Sequence, residues 1–429
     1  MAKRKPKPKP KSKCSKRRPK TKRRNDKTRI DITRRKALRT GTAAAAATLA
    51  APSVLWGAKP DPVKLGILQP VTGALAQDGQ FGRKSAEMAI ADINVAGGIK
   101  SMDGAKIEMV FGDARSNPEA GVQEVETMQS EDVAAIVGGF TSPICLAASQ
   151  VAARYDLAYM VDVGVSDSIT SRGLANTFRF APGFSICTKI VIENLVKLNE
   201  AAGNPARTIA LVHEDGLFGT GLSDLMEKQL PEFGFEIVER IAVPTPSRDL
   251  SNVALRLRSL NPDLIIPSTC YGETVLLART MQQQRVRPMA VYAVLNGAAS
   301  NRRFVDEFPE AAEGIMDVNH WYDPLNEKNA GLIERSEADG RIYAFNTPLN
   351  YSNVMLVADA MERAGSADRA GLIAASTFKD HLMTYGPTKF EGGQNTGAAP
   401  VSTQMQEVEI KVVRPEEFAN AKAKFPANT

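Results

Sequence analysis

What most constrains this chain is the alternation that begins at residue 63. Short runs of β-favouring apolar residues are separated by longer segments whose apolar residues recur at helical spacing, the pattern of a parallel sheet covered by helices. VKLGILQP (63–70) reads as a strand. FGRKSAEMAIADINVAGG (81–98) reads as a helix with Ala86, Ala89, Ile90 and Ile93 on one face and a stop at Gly97-Gly98. KIEMVFGDA, NPEAGVQEVETMQSED, VAAIVGGF, SPICLAASQVAARYD and LAYMVDVG repeat the beat, with Pro118 and Pro143 at helix starts, where a missing N–H is tolerated. A second series of similar size runs from ICTKIVIENLVKLNEAAGN to PMAVYAVL. Two such arrays predict an α/β protein of two doubly wound, parallel-sheet lobes. The breaks fall near FRFAPGFS (178–185) and MDVNHWYDP (316–324), and NYSNVMLVADAMERAG reads as a late helix returning to the first lobe.

Ahead of the alternation the composition changes. Residues 1–40 hold 20 Lys and Arg against Asp26 and Asp31, and beyond residue 40 the balance is 34 Lys and Arg to 46 Asp and Glu, so the net charge of +6 hides an acidic body. An acidic body is unsuited to displacing counterions from a phosphate backbone, which argues against nucleic acid as a partner of the folded part. The basic tail lacks apolar periodicity, repels itself and is punctuated by proline, so it is expected to be disordered. The segment that follows, ITRRKALRTGTAAAAATLAAPSVLWGA (32–58), resembles a twin-arginine export signal. Residues 41–58 are uncharged but short, Ala-rich and interrupted by Pro52, which favours a cleaved signal over a permanent membrane span. Cys145, Cys187 and Cys270 lie beyond it with no zinc-like spacing and are expected to be mostly free, buried thiols.

The chemistry-bearing residues exclude several classes. His213, His320 and His381 are the three histidines, and none has a metal-binding or nucleophile-base spacing. There is no phosphate loop and no G-x-G-x-x-G after the first strand, so neither an enzyme nor a cofactor is expected. The chain offers instead polar turns at the carboxyl ends of its strands, where open α/β sheets bind ligands: QPVTGALAQDG, GGFTSP, VGVSDS, HEDGLFG and CYGE. The Thr141-Ser142-Pro143 turn opens a helix, so its hydroxyls and free N–H groups suit a carboxylate. The same residues also suit an ordinary helix cap, and residue pattern leaves both readings open.

The order of these motifs resembles the branched-chain amino-acid and amide-binding receptors of ABC importers, the type I periplasmic binding proteins. VKLGILQPVTGALAQDGQFGRKSAEMAIADINVAGGI, FGDARSNPEAG, IVGGFTS, GLANTFRFAP, DGLFGTG and MQQQRV occur in family order across about residues 63–400. The resemblance implies a ligand cleft between two lobes joined by three crossovers. It divides the chain into a tail and signal (1–58), a first lobe (59–181 and about 321–388) and a second lobe (182–320 and about 389–429). It assigns the ligand carboxylate to Ser142, with Thr141 beside it, and to the Gly164 N–H and Ser166 hydroxyl. It makes Phe218 an apolar wall and Tyr271 a contact from the opposite lobe. Asp78 stands at a first-turn position that is often aromatic and lines the side-chain pocket, and Asp162 and Asp167 flank the second carboxylate turn.

The family's acidic partner for a ligand ammonium falls near Val294, which cannot serve, and this shifts weight toward solutes without an α-ammonium. Cys187 replaces a common glutamine by the hinge, and Ser116 and Thr141 occupy the positions of an often-present disulfide. The function implied is an exported, periplasmic receptor that closes on a small polar or carboxylate-bearing solute and delivers it to a membrane ABC permease. Amino acids, short amides, urea and aromatic carboxylates are the candidate ligands; a signal left uncleaved would hold the receptor at the membrane. The alternative is a sensor of the same fold that regulates a partner protein.

Overall fold

A computed structural model describes residues 60–320, 327–338, 343–375, 381–382, 387–397 and 399–427. The basic tail and the segment like an export signal lie outside these residues. Five parallel strands form the body of a first sheet: β1 (Val63–Gln69), β2 (Ile107–Asp113), β3 (Ala135–Gly138), β4 (Ala158–Val161) and β5 (Thr177–Arg179). Five more form a second: β6 (Thr208–Glu214), β7 (Glu236–Val243), β8 (Leu264–Ser268), β9 (Ala290–Val294) and β10 (Met316–Asn319). β3, β4, β8 and β9 are buried at every position, as strands covered on both faces must be.

The alternation of side chains along each strand feeds two cores per sheet. In β3, Val137 packs with Leu65, Ile90, Ile93, Leu349 and Met361, whereas Ile136 packs with Val125, Met128, Ile144 and Val151. The first set includes the late helix, Asn346–Ala364, so that helix belongs to the first sheet. Tyr351 on it donates to Asp92 at 2.6 Å, and Asn346 donates to the Asp78 carbonyl at 2.8 Å. The second sheet repeats the arrangement, with Leu211 and Ile266 in one core and Val212 and Ile265 in the other. Among the described residues no helix is long and apolar enough to cross a membrane.

The chain ends with strands that the sequence pattern does not reveal. A small separate pair, β11 (His381–Leu382) and β12 (Pro387–Thr388), comes first. β13 (Phe390–Glu391) and β14 (Gln394–Asn395) then join the first sheet beside β5, and the antiparallel hairpin of β15 (Val401–Gln406) and β16 (Glu409–Arg414) joins the second beside β10. The strand orders are β13-β14-β5-β4-β3-β1-β2 and β16-β15-β10-β9-β8-β6-β7. One boundary differs from the expectation. The final change of sheet comes after Asn395 rather than near residue 388, because Gln394 pairs with Arg179 at the sheet edge. The stretch MDVNHWYDP opens with β10, whose Met316 and Val318 belong to the second lobe's core, and the next described helix, Glu327–Ala338, packs Leu332 against Met88 of the first lobe.

Chain crossings between the sheets are clasped by one buried side chain. Arg179 is 1% exposed, and it donates to the Gln394 side-chain carbonyl at 2.6 Å, to the Ser166 carbonyl at 2.5 Å and to Asp167 at 3.2 Å. Asp167 in turn accepts the N–H of Ser185 at 3.0 Å, across the first crossing. Removing a donor from buried acceptors costs about 1–3 kcal/mol for each group left unsatisfied. Arg179→Ala is therefore expected to lower stability by about 2 kcal/mol or more, read from the midpoint of urea unfolding, with an unchanged midpoint as the contrary result.

Candidate functional site

A cavity of about 210 Å³ lies at the carboxyl ends of the strands of both sheets. A cavity of that size is suited to a small solute. The first sheet supplies Leu75 and Asp78, the Phe140–Pro143 turn and Val163–Val165; the second supplies Glu214, Phe218, Thr245, Cys270, Tyr271, Leu295 and Asn296. His320 and Phe345, near the second crossing, complete the wall.

The turn after β3 has an unusual backbone. Gly138, Gly139 and Phe140 have φ of 128°, 105° and 57°, a run that L side chains disfavour. A Cβ on Gly138 would come within 2.0 Å of the Leu68 carbonyl oxygen, so the two strands meet too closely for any other residue. Asp162, fully buried at the end of β4, holds the turn by accepting the Phe140 N–H at 2.9 Å. It also accepts from Gln69 at 2.8 Å, and Gln69 donates on to Asn350 at 2.8 Å. Burial raises the Asp162 pKa, opposed by the Gln69 hydrogen bond and by backbone N–H groups of Phe140 and Val163.

The result is a helix, Ser142–Ala153, aimed at the cavity. Thr141 precedes it with no side-chain cap hydrogen bond, so the hydroxyl is not occupied as a helix cap. Ser142 is 2% exposed, and its Oγ accepts the N–H of Val165 at 3.2 Å and of Ser166 at 3.1 Å. The two polar turns are thereby joined. Gly164 lines the cavity and lies against the helix, where a Cβ would come within 2.7 Å of Cys145 Sγ.

Six of the seven residues singled out in the sequence, Asp78, Thr141, Ser142, Gly164, Phe218 and Tyr271, line this one cavity. Ser166 does not. Its carbonyl is drawn to Arg179 and its hydroxyl lies 2.8 Å from that of Ser168, which turns the side chain aside; its N–H reaches the site only through Ser142. Asp167 serves the crossing rather than the cavity. Val294 is fully buried in the second lobe's core, and the next residues, Leu295 and Asn296, face the cavity instead.

Each wall has distinct chemistry. Phe218 packs against Phe184 with ring centroids 6.4 Å apart. The Tyr271 hydroxyl and the Asn296 Nδ2 are buried without a hydrogen-bond partner among the described residues, which leaves a hydroxyl and an amide donor for a solute. The Asn296 Oδ1 is held by the Ala298 N–H at 2.8 Å, which orients that amide. Glu214 accepts the Gly219 N–H at 2.8 Å; burial raises its pKa against the Gly219 and Gly216 N–H groups. His320 stacks on Phe345 at 5.7 Å, and burial, with Arg179 adding to it, lowers its pKa to about 3, so the imidazole is neutral. Asn296, Glu214 and His320 were not chosen from sequence, although Asn296 and Glu214 are the first polar residues at or after strand ends. Cys145 and Cys187 are free and buried, and Cys270 is free and partly exposed. Among the described residues no three His, Cys, Asp or Glu side chains gather as a metal site would require.

A cavity shared by two wound sheets, largely apolar but carrying a few placed polar groups, defines a two-lobed solute-binding protein. The chain belongs to the periplasmic binding protein family, whose sequence signature matches residues 62–410. Leu/Ile/Val-binding protein homolog 7 of Brucella melitensis is 28% identical over 395 residues, covering 88% of this chain and 98% of the relative. Among solved structures, the branched-chain amino acid transporter substrate-binding protein LivJ from Streptococcus pneumoniae, in complex with isoleucine, aligns with a TM-score of 0.72 at 20% identity, over 82% of this chain and 100% of that one. A solute-binding protein of an ABC transporter from R. palustris, in complex with benzoate, aligns with a TM-score of 0.72 at 18% identity, over 84% and 99%. The fold is that of the type I periplasmic binding proteins, and these relatives are binding proteins rather than enzymes. The family implies an exported location.

Asp78 is the electrostatic exception in the wall. It is 8% exposed, and burial pushes its carboxyl up from 3.8 to about 7, against the pull of the Arg303 guanidinium. The folded chain thus binds a proton between about pH 4 and 7 that the unfolded chain does not, so this group's contribution to stability falls as pH rises through that window. Asp78→Asn is expected to raise the melting temperature of the solute-free protein at pH 8 and to leave it nearly unchanged at pH 4. Parallel melting curves for variant and parent across that range check the sign.

Proposed function

We propose that this chain is the substrate-binding component of an ABC transporter of the branched-chain amino acid type, exported by its twin-arginine-like signal. It captures a small carboxylate-bearing solute between its lobes and presents it to a membrane permease. The observation that carries this reading is the state of Ser142. Its oxygen already accepts two backbone N–H groups, so the hydroxyl has only its proton left to offer, and it offers it at the start of a helix. A carboxylate there receives a charge-assisted hydrogen bond and the positive end of the helix dipole.

The remaining wall divides the work. Phe218, Leu75 and Val163 cover an apolar portion of the solute, while Tyr271 and Asn296 offer polar contacts from the second lobe. A solute that touches both lobes favours the closed arrangement by its differential affinity for it, and closure in turn desolvates those contacts and strengthens them. The isoleucine and benzoate held by the two structural neighbours differ in shape and share a carboxylate, which supports this assignment.

Thermal-shift screening against branched-chain amino acids, short amides, urea and aromatic carboxylates identifies the class, since a solute that binds only the folded state raises apparent stability. Ser142→Ala is expected to weaken a bound carboxylate by about 1–3 kcal/mol in calorimetry. Unchanged affinity removes Ser142 from the site.

A further inference from the structure

We propose that Asp317 is a positioning residue for the second lobe's half of the site: its buried carboxylate holds the turn of residues 295–300 and so fixes where Asn296 presents its amide to a solute. The inference rests on the reading of the cleft as a carboxylate site and adds what sets the geometry of its second wall.

The turn after β9 needs holding. Leu295 has a φ of 56° and Gly297 of 72°, and the left-handed conformation is one an L side chain adopts only at a cost. A Cβ on Gly297 would come within 2.4 Å of the Phe345 ring, so the turn is pressed close against that side chain. Asn296, between them, is oriented within the turn by the Ala298 N–H at 2.8 Å, but that local bond does not orient the turn itself.

Asp317 lies on β10, which pairs with β9, and it is fully buried. Its Oδ2 accepts from the Ser300 hydroxyl at 3.2 Å and from Asn319 at 2.8 Å. Thr403 on β15 braces the same place by donating to the Ala299 carbonyl at 3.0 Å. Burial raises the Asp317 pKa to about 6, opposed by the Asn319 and Ser300 hydrogen bonds and by the backbone N–H groups of Asn296 and Gly297, so the group is a carboxylate at pH 8. Its Oδ1 is buried with no hydrogen-bond partner among the described residues, which leaves spare acceptor capacity. No described cation forms an ion pair with it. The titratable groups around it are neutral: burial raises the pKa of the Cys187 thiol and of the Tyr292 phenol, and lowers that of His320. A buried charge without a cation is costly, and an asparagine of the same shape would avoid the cost. Convergence of one turn's hydroxyl and N–H groups on it accounts for the charge.

The first lobe has a counterpart of opposite sign. In strand order β10 corresponds to β5. Arg179 on β5 grips the turn after β4 through the Ser166 carbonyl, and Asp317 on β10 grips the turn after β9 through donors. A turn that offers a carbonyl is held by a cation, and one that offers N–H and O–H groups by an anion.

Hydrogen exchange read by mass spectrometry on the purified, solute-free protein at pH 8 reports on the turn directly. Asp317→Asn is expected to speed exchange in peptides spanning 295–301 about tenfold, and Ser300→Ala about threefold, with peptides of β8 unchanged. Ser300→Ala removes the donor from the turn's side and gives the same test should Asp317→Asn not fold. Calorimetry with L-isoleucine and benzoate, the solutes held by the two structural neighbours, reads the consequence for binding. A probe that binds the parent is expected to bind Asp317→Asn and Asn296→Ala each about tenfold more weakly. The double variant is expected to be no more than about threefold weaker than the weaker single one, because Asp317 acts through Asn296; a merely structural loss would add in full.

If exchange in 295–301 is unchanged in the variants, if a bound probe keeps its affinity in Asp317→Asn, or if the two substitutions add in full, the inference is overturned while the carboxylate reading stands. If neither probe binds the parent, both are overturned.

Discussion

The buried carboxylate of Asp162 is the point on which the site depends. It accepts the N–H of a residue held at positive φ and, through Gln69 and Asn350, links the ends of β1, β3 and β4 to a helix that arrives about 190 residues later in the chain. A left-handed Phe140 costs about 1–2 kcal/mol, and the Asp162 bond to its N–H, with the Gly139 N–H on the Leu68 carbonyl at 2.8 Å, offsets that cost. The helix at Ser142 starts where it does for the same reason. The geometry offered to a solute is thus set one layer behind the cavity, by groups that never touch it.

That layering explains what could be read from the residues and what could not. The alternating pattern contains the parallel strands and their helices, because a buried parallel strand must be apolar and its crossover helix amphipathic. The turns at Thr141-Ser142, Phe218 and Tyr271 could be placed together because ligands gather at the carboxyl ends of such strands. The late strands could not. β13 and β14 are two residues each, and β15 carries Ser402, Thr403, Gln404 and Gln406 as buried polar residues, so periodicity gives little sign of them. Ser402 and Gln404 are buried by partners more than 15 residues away, Asn194, Tyr292 and the Lys424 carbonyl, and no local window contains those.

The same limit governs single residues within the site. Val294 and Asn296 are two apart, yet one fills a core and the other faces the cavity, because Leu295 between them takes a φ of 56° and breaks the strand's alternation. Ser166 was plausible as a hydroxyl donor, but the demand of Arg179 for its carbonyl decides the orientation of the turn. In both places the outcome turns on the backbone of one residue, and its cause lies outside the segment.

The closing strands have a further consequence, for the order in which the molecule can be made. β13 and β14 complete an edge of one sheet and β15 and β16 an edge of the other, and all four lie within residues 390–414. During synthesis the first sheet gains its last described strand at residue 395 and the second at residue 414. A stop ahead of residue 390 removes edge strands from both sheets at once, whereas a stop between residues 396 and 400 spares the first sheet and removes β15 and β16 from the second. The two lobes that hold a solute between them thus receive their closing strands one directly after the other, from a single short stretch of chain.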